Sequence, residues 1–265
     1  MIFNWLAERR RKAILAEPFP AQWEDYLLQN MAHYSYLDPQ ERKQLRDFTQ
    51  VFVEEKEWEP CGGIDLTDEI KVTIAAQACL LLLGLDHILY KNVHSILVYP
   101  STVTPVYPTG YWNMEGEVCA EPMPILGQAS MGGPVILVWD AVRHGGIHPE
   151  NGHNVVYHEF AHKLDMLDGS INGTPPLETK EQYRQWAEVC TREYNELRAR
   201  AERGRRSFLD AYGATNEAEF FSVATEYFFE KPVKMEEDHN DLYQVLKGFY
   251  NQDTAARQRR HHDNR

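Results

Sequence analysis

The sequence holds four cysteines, Cys61, Cys79, Cys119 and Cys190, and no two of them form a C-x-x-C pair. Such scattered spacing excludes a dense disulfide framework and suits buried thiols in a reducing cytosol. Long apolar runs are missing as well. The longest, Ile74 to Leu85, is interrupted by Gln77 and is too short to span a bilayer. Positive charge is scarce, with 27 Lys and Arg against 40 Asp and Glu and a net charge of −13. That balance argues against direct nucleic-acid binding, because phosphate contacts need a basic surface. The segment from Met1 to Lys12 lacks the pattern of a secretory signal, since its charges follow a short apolar stretch instead of preceding it. Its aromatics beside a basic run leave an amphipathic membrane-surface anchor as a second reading, with only a small apolar face. The expectation is a cytoplasmic protein with neither a nucleic-acid nor a membrane partner.

What is present is ordinary for a globular protein: 265 residues, 43% hydrophobic and 25% charged, enough for one large domain or a domain with a helical extension. Residues 1–90 read as mostly helical. Pro18-Phe19-Pro20 breaks the first segment, and Trp23 to Tyr34 has helical apolar spacing. Asp38-Pro39 opens a helix reaching about Glu54. Thr67 caps another, with Asp68 and Glu69 favouring its dipole, which runs through Leu80-Leu81-Leu82-Leu83 and stops at Gly84. That helix is apolar nearly all round and should lie in the core. Residues 91–250 form a second part. Strands are expected at 94–100 and 134–139, separated by a Pro-, Gly- and Glu-rich loop over roughly 104–124. A further loop runs through Gly145-Gly146-Ile147-His148-Pro149. Charged and aromatic helices follow, at Lys180 to Arg203 and Glu217 to Phe229. Residues 251–265 read as a frayed polar tail that holds His261 and His262. This pattern is α+β, and no internal repeat is visible.

One stretch carries chemistry. His158-Glu159-Phe160-Ala161-His162 supplies two imidazoles at i and i+4, about 40° apart around a helix and roughly 6 Å apart along it. Both rings can reach one metal ion, and Glu159 lies near enough to hold a water at the open metal position. Apolar Val155-Val156-Tyr157 before the motif suits a buried helix that opens between Asn151 and Asn154.

A catalytic zinc site takes three protein ligands. A close third ligand would be Asp168, at the position of the last histidine in H-E-x-x-H-x-x-G-x-x-H. However, Asp165 stands where that motif has the glycine that turns the chain. A distant glutamate is the other option. Glu217 falls in the first turn of its helix, after Thr215 or Asn216 as cap, where a solvated carboxylate favours the dipole. Glu219 and Glu226 share one face of a greasy helix, where carboxylates are costly unless paired or metal-bound. Glu219 is the expected ligand and Glu226 the acceptor for a ligand imidazole, with the reverse assignment still open. Asp165 needs a compensating partner near its helix C-terminus, either a ligand histidine or an arginine. The strand at 135–139 is a candidate edge for an extended peptide, or else an ordinary buried strand.

Taken together, these segments resemble the Mlc titration factor A family, the glucose-regulated zinc metallopeptidases of bacteria. The resemblance covers nearly the whole chain. It rests on Pro18-Phe19-Pro20 with Trp23, Leu66-Thr67-Asp68-Glu69, Ile74 to Leu82 and Ile96-Leu97-Val98-Tyr99-Pro100. It continues through the His158–His162 motif with Leu164-Asp165, and Asp210-Ala211-Tyr212 leading to Glu219-Phe220-Phe221. The family's catalytic core is similar to that of anthrax lethal factor, in which a tyrosine lies seven residues before the glutamate ligand, as Tyr212 does before Glu219. The resemblance implies a zincin-like core of the gluzincin type with a small mixed sheet. It implies one zinc ion bound by His158, His162 and Glu219, with Glu159 as general base and Tyr212 assisting. It further implies aminopeptidase-like hydrolysis of peptides and binding to the glucose repressor Mlc, which modulates sugar-uptake genes. The alternative is a protein that titrates a transcription factor and carries a non-catalytic zinc site.

Overall fold

Capping chemistry sets the early helices. The computed structural model describes residues 2–85, 89–101, 111–112, 118–119, 127–129 and 133–263. Helix α1 (Ile2–Ile14) is followed by α2 (Ala21–Asn30) and a 3-10 turn (Ala32–Tyr36). Helix α3 (Pro39–Glu55) opens at the Asp38-Pro39 signal. Asp38 Oδ1 accepts from the Gln40 and Glu41 amides, and Glu41 Oε2 accepts from the Asp38 amide, closing a capping box. Glu57–Pro60 then forms strand β1 inside the part read as helical. Its Glu-Trp-Glu-Pro sequence has no apolar alternation, so only its pairing with a later strand identifies it. Pro60 is tolerated because β1 lies at the edge of its sheet.

Helix α4 (Asp68–Leu80) is capped by Thr67 and is buried on nearly every side, as its apolar composition predicts. It gives way to a turn before Gly84. Gln252 Nε2 donates to the carbonyls of Leu80 and Leu81 (3.0 and 3.3 Å), and Gln44 Nε2 donates to that of Leu83 (2.9 Å). Side chains from distant segments thus satisfy carbonyls that the helix end leaves open.

The strands that follow are β2 (Ser95–Tyr99), the short pair β3 (Tyr111–Trp112) and β4 (Val118–Cys119), then β5 (Gly127–Ala129) and β6 (Val135–Val138). Most of the loop expected at 104–124 lies outside the described residues. The main sheet has the order β1-β2-β6-β5, with β1, β2 and β6 parallel and β5 antiparallel to β6. The segment at 135–139 is therefore not an edge, because β2 and β5 flank its strand. Among the described strands, the edge on that side is β5.

Helix α5 (Trp139–Ile147) occupies sequence read as strand end and loop. Its glycines mark close packing and not a turn. A Cβ on Gly146 would strike the Asn30 carbonyl, and one on Gly145 would crowd Asn154. Next come α6 (Val155–Asp165), α7 (Lys180–Glu202) and α8 (Glu217–Glu230), close to their expected spans, then α9 (Pro232–Asp238) and α10 (Asn240–Tyr250). Instead of fraying, the chain ends in α11 (Thr254–Asp263). Arg257 is buried in an ion pair with Glu41 (2.6 Å), Arg259 pairs with Glu236, and the His261 ring lies 4.2 Å from that of Tyr36. A polar sequence hides this docking because its partners lie on α3, α9 and the 3-10 turn.

The architecture is α+β and mostly helical. Helix α6 packs on α8, α4 and the β5–β6 side of the sheet. Phe160 of α6 meets Tyr90 at 4.6 Å and Phe52 of α3 at 5.8 Å, which anchors the back of the motif helix in aromatic core. Among the described residues, no helix is long and apolar enough to cross a membrane.

Gly84 tests the junction at the end of α4, because a Cβ there would be driven into the carbonyl oxygens of Tyr250 and Asn251. Gly84→Ala should destabilise the protein by about 1–3 kcal/mol, seen as a lower urea midpoint. An unchanged midpoint would contradict the packing described.

Candidate metal centre

Helix α6 begins at Asn154, whose Oδ1 accepts from the amides of Val156 and Tyr157 (both 3.1 Å). This cap sets the start of the helix and so the rotation at which His158 and His162 emerge. Their rings lie 4.9 Å apart. Helix α8 is capped by Asn216, whose Oδ1 accepts from the amide of Glu219 itself (2.9 Å). Glu219 Oε2 then lies 2.9 Å from His158 Nε2 and 3.3 Å from His162 Nε2. One donor atom from each of His158, His162 and Glu219 falls within 4.8 Å of the others. Glu217 is exposed in the first turn of α8. Asp168 is also exposed, and its Oδ1 accepts from the amide and hydroxyl of Ser170 (2.9 and 2.6 Å), so it stands outside the cluster.

His158 Nδ1 is 2.7 Å from Glu226 Oε1. A proton on Nδ1 directed at that carboxylate leaves the Nε2 lone pair facing Glu219 and His162. Glu226 is itself held, because its Oε2 accepts from the Asn154 amide (2.6 Å). Asn154 Nδ2 in turn donates to Gln77 Oε1 (2.8 Å), and Gln77 Nε2 donates to the Val142 carbonyl of α5 (3.3 Å). Neither Asn154 nor Gln77 stands out in sequence as a site residue. The available signal was Gln77 itself, a polar side chain in the middle of a helix that is apolar nearly all round.

The electrostatics favour positive charge at the centre. Burial opposes a charged His158 ring, yet hydrogen bonds to Glu219 and Glu226 together outweigh it and hold its pKa well above the ordinary value. Burial likewise opposes a charged Glu219, but the two imidazoles hold its carboxyl far below the usual range. Among the described residues, the ion-pair partners of Glu219 and Glu226 are histidines, with no lysine or arginine. Two imidazole nitrogens and one carboxylate oxygen, converging in a buried acidic setting, fit the donor set of a zinc ion.

Glu159 is buried beside this set, and burial raises its pKa against the pull of His158 and His162. Strand β5 lies directly on it: a Cβ added to Gly127 would come within 2.5 Å of Glu159 Oε1. Tyr212 sits in a 3-10 turn (Ala211–Ala214) that Asp210 caps through the Tyr212 amide (2.8 Å). Its ring centroid is 5.9 Å from that of His158, and the residue is 51% exposed. Partial burial and the nearby Glu219 and Glu159 carboxylates push its phenol pKa up, so the hydroxyl keeps its proton at neutral pH. Asp165 finds neither expected partner. Its Oδ2 accepts from the Gly173 amide (2.9 Å), while Asp165 Oδ1 and His162 Nδ1 have no hydrogen-bond partner among the described residues.

This arrangement sits in a chain whose residues 5–251 match the family model described as glucose-regulated metallo-peptidase M90. The chain belongs to that family. It is 37% identical over 249 residues to the uncharacterized protein slr2042 of Synechocystis sp., covering 93% of this chain and 89% of the relative. It is 32% identical over 244 residues to Mlc titration factor A of Serratia proteamaculans, covering 91% and 90% of the two chains. Against Mlc titration factor A of Yersinia pestis the identity is 29% over 260 residues, with 97% and 92% covered. The family is one of metallopeptidases, and metal dependence follows from its description.

Metal content after substitution separates the two candidate third ligands. Glu219→Ala should lower bound zinc to well below one per chain, whereas Asp168→Ala should leave it unchanged, as read by elemental analysis of the purified variants. The opposite result would move the third ligand to α6's own C-terminal turn.

Proposed function

We propose that this M90-family chain is a zinc-dependent peptidase of aminopeptidase-like action, with a gluzincin type of core. The observation that carries the proposal is the convergence of His158 Nε2, His162 Nε2 and a Glu219 oxygen within 4.8 Å, with buried Glu159 on the same helix. Zinc held by these three side chains would supply Lewis acidity, polarising a scissile carbonyl and making a water more acidic. Glu159 takes the proton from the attacking water and passes it to the departing amine. Its buried position on the ligand helix, beside the cluster, suits both transfers. The Tyr212 phenol, held protonated, donates a hydrogen bond to the oxyanion that forms on the substrate. Glu226 fixes the orientation of the His158 ring throughout. The β5 edge, whose backbone contacts Glu159 through Gly127, offers amides and carbonyls with which an extended peptide can pair.

The relatives named Mlc titration factor A support a second role, binding of an Mlc-type repressor. The two roles are compatible in one chain. A binding protein with a purely structural zinc site would have no need of a buried general base beside the ligands.

Glu159→Gln separates these readings. The variant should keep zinc and lose hydrolysis of short peptide substrates by about 10²–10⁴-fold. Unchanged turnover would sink the peptidase mechanism. Repressor binding retained by the inactive variant would make titration independent of catalysis, and its loss would join the two.

A further inference from the structure

Away from the metal centre, α1, the end of α3 and the segment leading into β2 line an open cavity of about 430 Å³. Its lining is cationic in a chain whose net charge is −13. Arg10, Arg11, Lys56 and Lys91 face it together with His94, and among the described residues Glu55 is the one carboxylate in the lining. Four cations against one carboxylate leave a surplus of three among the described lining residues.

The carboxylate is already engaged. Glu55 receives both Nε and Nη2 of Arg11 (2.7 and 2.8 Å), a bidentate pair that leaves the other cations unbalanced. Lys56 Nζ donates to the carbonyls of Tyr90 and Val93 (both 2.9 Å), which are neutral acceptors. Burial pushes its pKa down to about 8, against the pull of Glu55. Arg10 donates one hydrogen bond to the Glu54 carbonyl (3.1 Å), which leaves most of its guanidinium hydrogens free. Lys91 has no ion pair among the described residues. The carboxyl end of α3 offsets part of the Lys56 charge and leaves the surplus on Arg10 and Lys91.

We propose that this cavity binds the phosphate group of a phosphorylated ligand. A phosphate carries more charge than a carboxylate and has enough acceptor oxygens for a guanidinium fork and an ammonium at once. The volume is that of a small-molecule site. Two sources share this chemistry. A free phosphorylated metabolite needs only the cavity, whereas a lipid headgroup would also use Leu6 of the lining and its neighbour in α1, Trp5, both exposed (50% and 57%).

The test is calorimetric titration of the zinc-loaded full chain with inorganic phosphate. It is paired with co-sedimentation on phosphatidylcholine vesicles with and without phosphatidylglycerol. Both are repeated on the Arg10→Glu/Lys91→Glu double variant and on Lys91→Glu alone. Both positions are exposed, and circular dichroism checks that helix content is kept. The double variant should bind phosphate at least tenfold more weakly, with the single variant between it and wild type. Peptide hydrolysis should not change, so failure here is distinct from failure of the peptidase reading. Enrichment on phosphatidylglycerol vesicles that the double variant loses would assign the phosphate to a lipid. Phosphate binding without that enrichment would assign it to a soluble ligand. Equal binding by wild type and double variant in both assays would overturn the proposal.

Discussion

Asn154 fixes three helices with three polar groups. Its Oδ1 caps α6, its amide holds Glu226 of α8, and its Nδ2 holds Gln77 of α4. All three residues are buried, so none of these bonds competes with water and none can be lost without stranding a polar group. The metal-ligand candidates come from two helices separated by α7, and their convergence requires α6 and α8 to hold one rotation and one offset. Apolar packing between helices tolerates small slips. Directional bonds to a shared asparagine do not. The orientation of His158 follows, because the carboxylate that receives its Nδ1 is the one the Asn154 amide holds.

The electrostatic design follows from that geometry. Three carboxylates, Glu159, Glu219 and Glu226, surround two imidazoles, and their neighbours shift Glu159 and Glu219 in opposite directions. Glu219 is driven towards the anion by two rings, while burial raises Glu159. One carboxylate is suited to hold a cation and the other to exchange a proton, which is the division of labour that metal-assisted hydrolysis needs. Gly127 lets strand β5 lie against Glu159, and Tyr212 stands beside His158 on a capped turn.

Where information was local, the sequence was readable. Asp38, Thr67 and Asn216 cap helices through bonds to residues two or three positions away, and those helices begin as expected. The i, i+4 pair on α6 and the carboxylates on α8 were also visible, because polar groups inside apolar helices require a reason. What depended on distant partners was not. Strand β1 is defined by pairing with β2, and α11 by Arg257 meeting Glu41 at the far end of the chain. Helix α5 was hidden by Gly145 and Gly146, whose small size serves contact with Asn30 and Asn154. Asp165 illustrates the same limit within the site: its acceptor role was foreseeable, but its partner is a loop amide at Gly173.

The central claim is that His158, His162 and Glu219 form one zinc site. Zinc-edge X-ray absorption on the metal-loaded protein tests it most directly. The account predicts two imidazole nitrogens at about 2.0–2.1 Å and carboxylate oxygen at about 2.0–2.2 Å in the first coordination shell. A sulfur shell at about 2.3 Å, or scattering from a single imidazole, would contradict it.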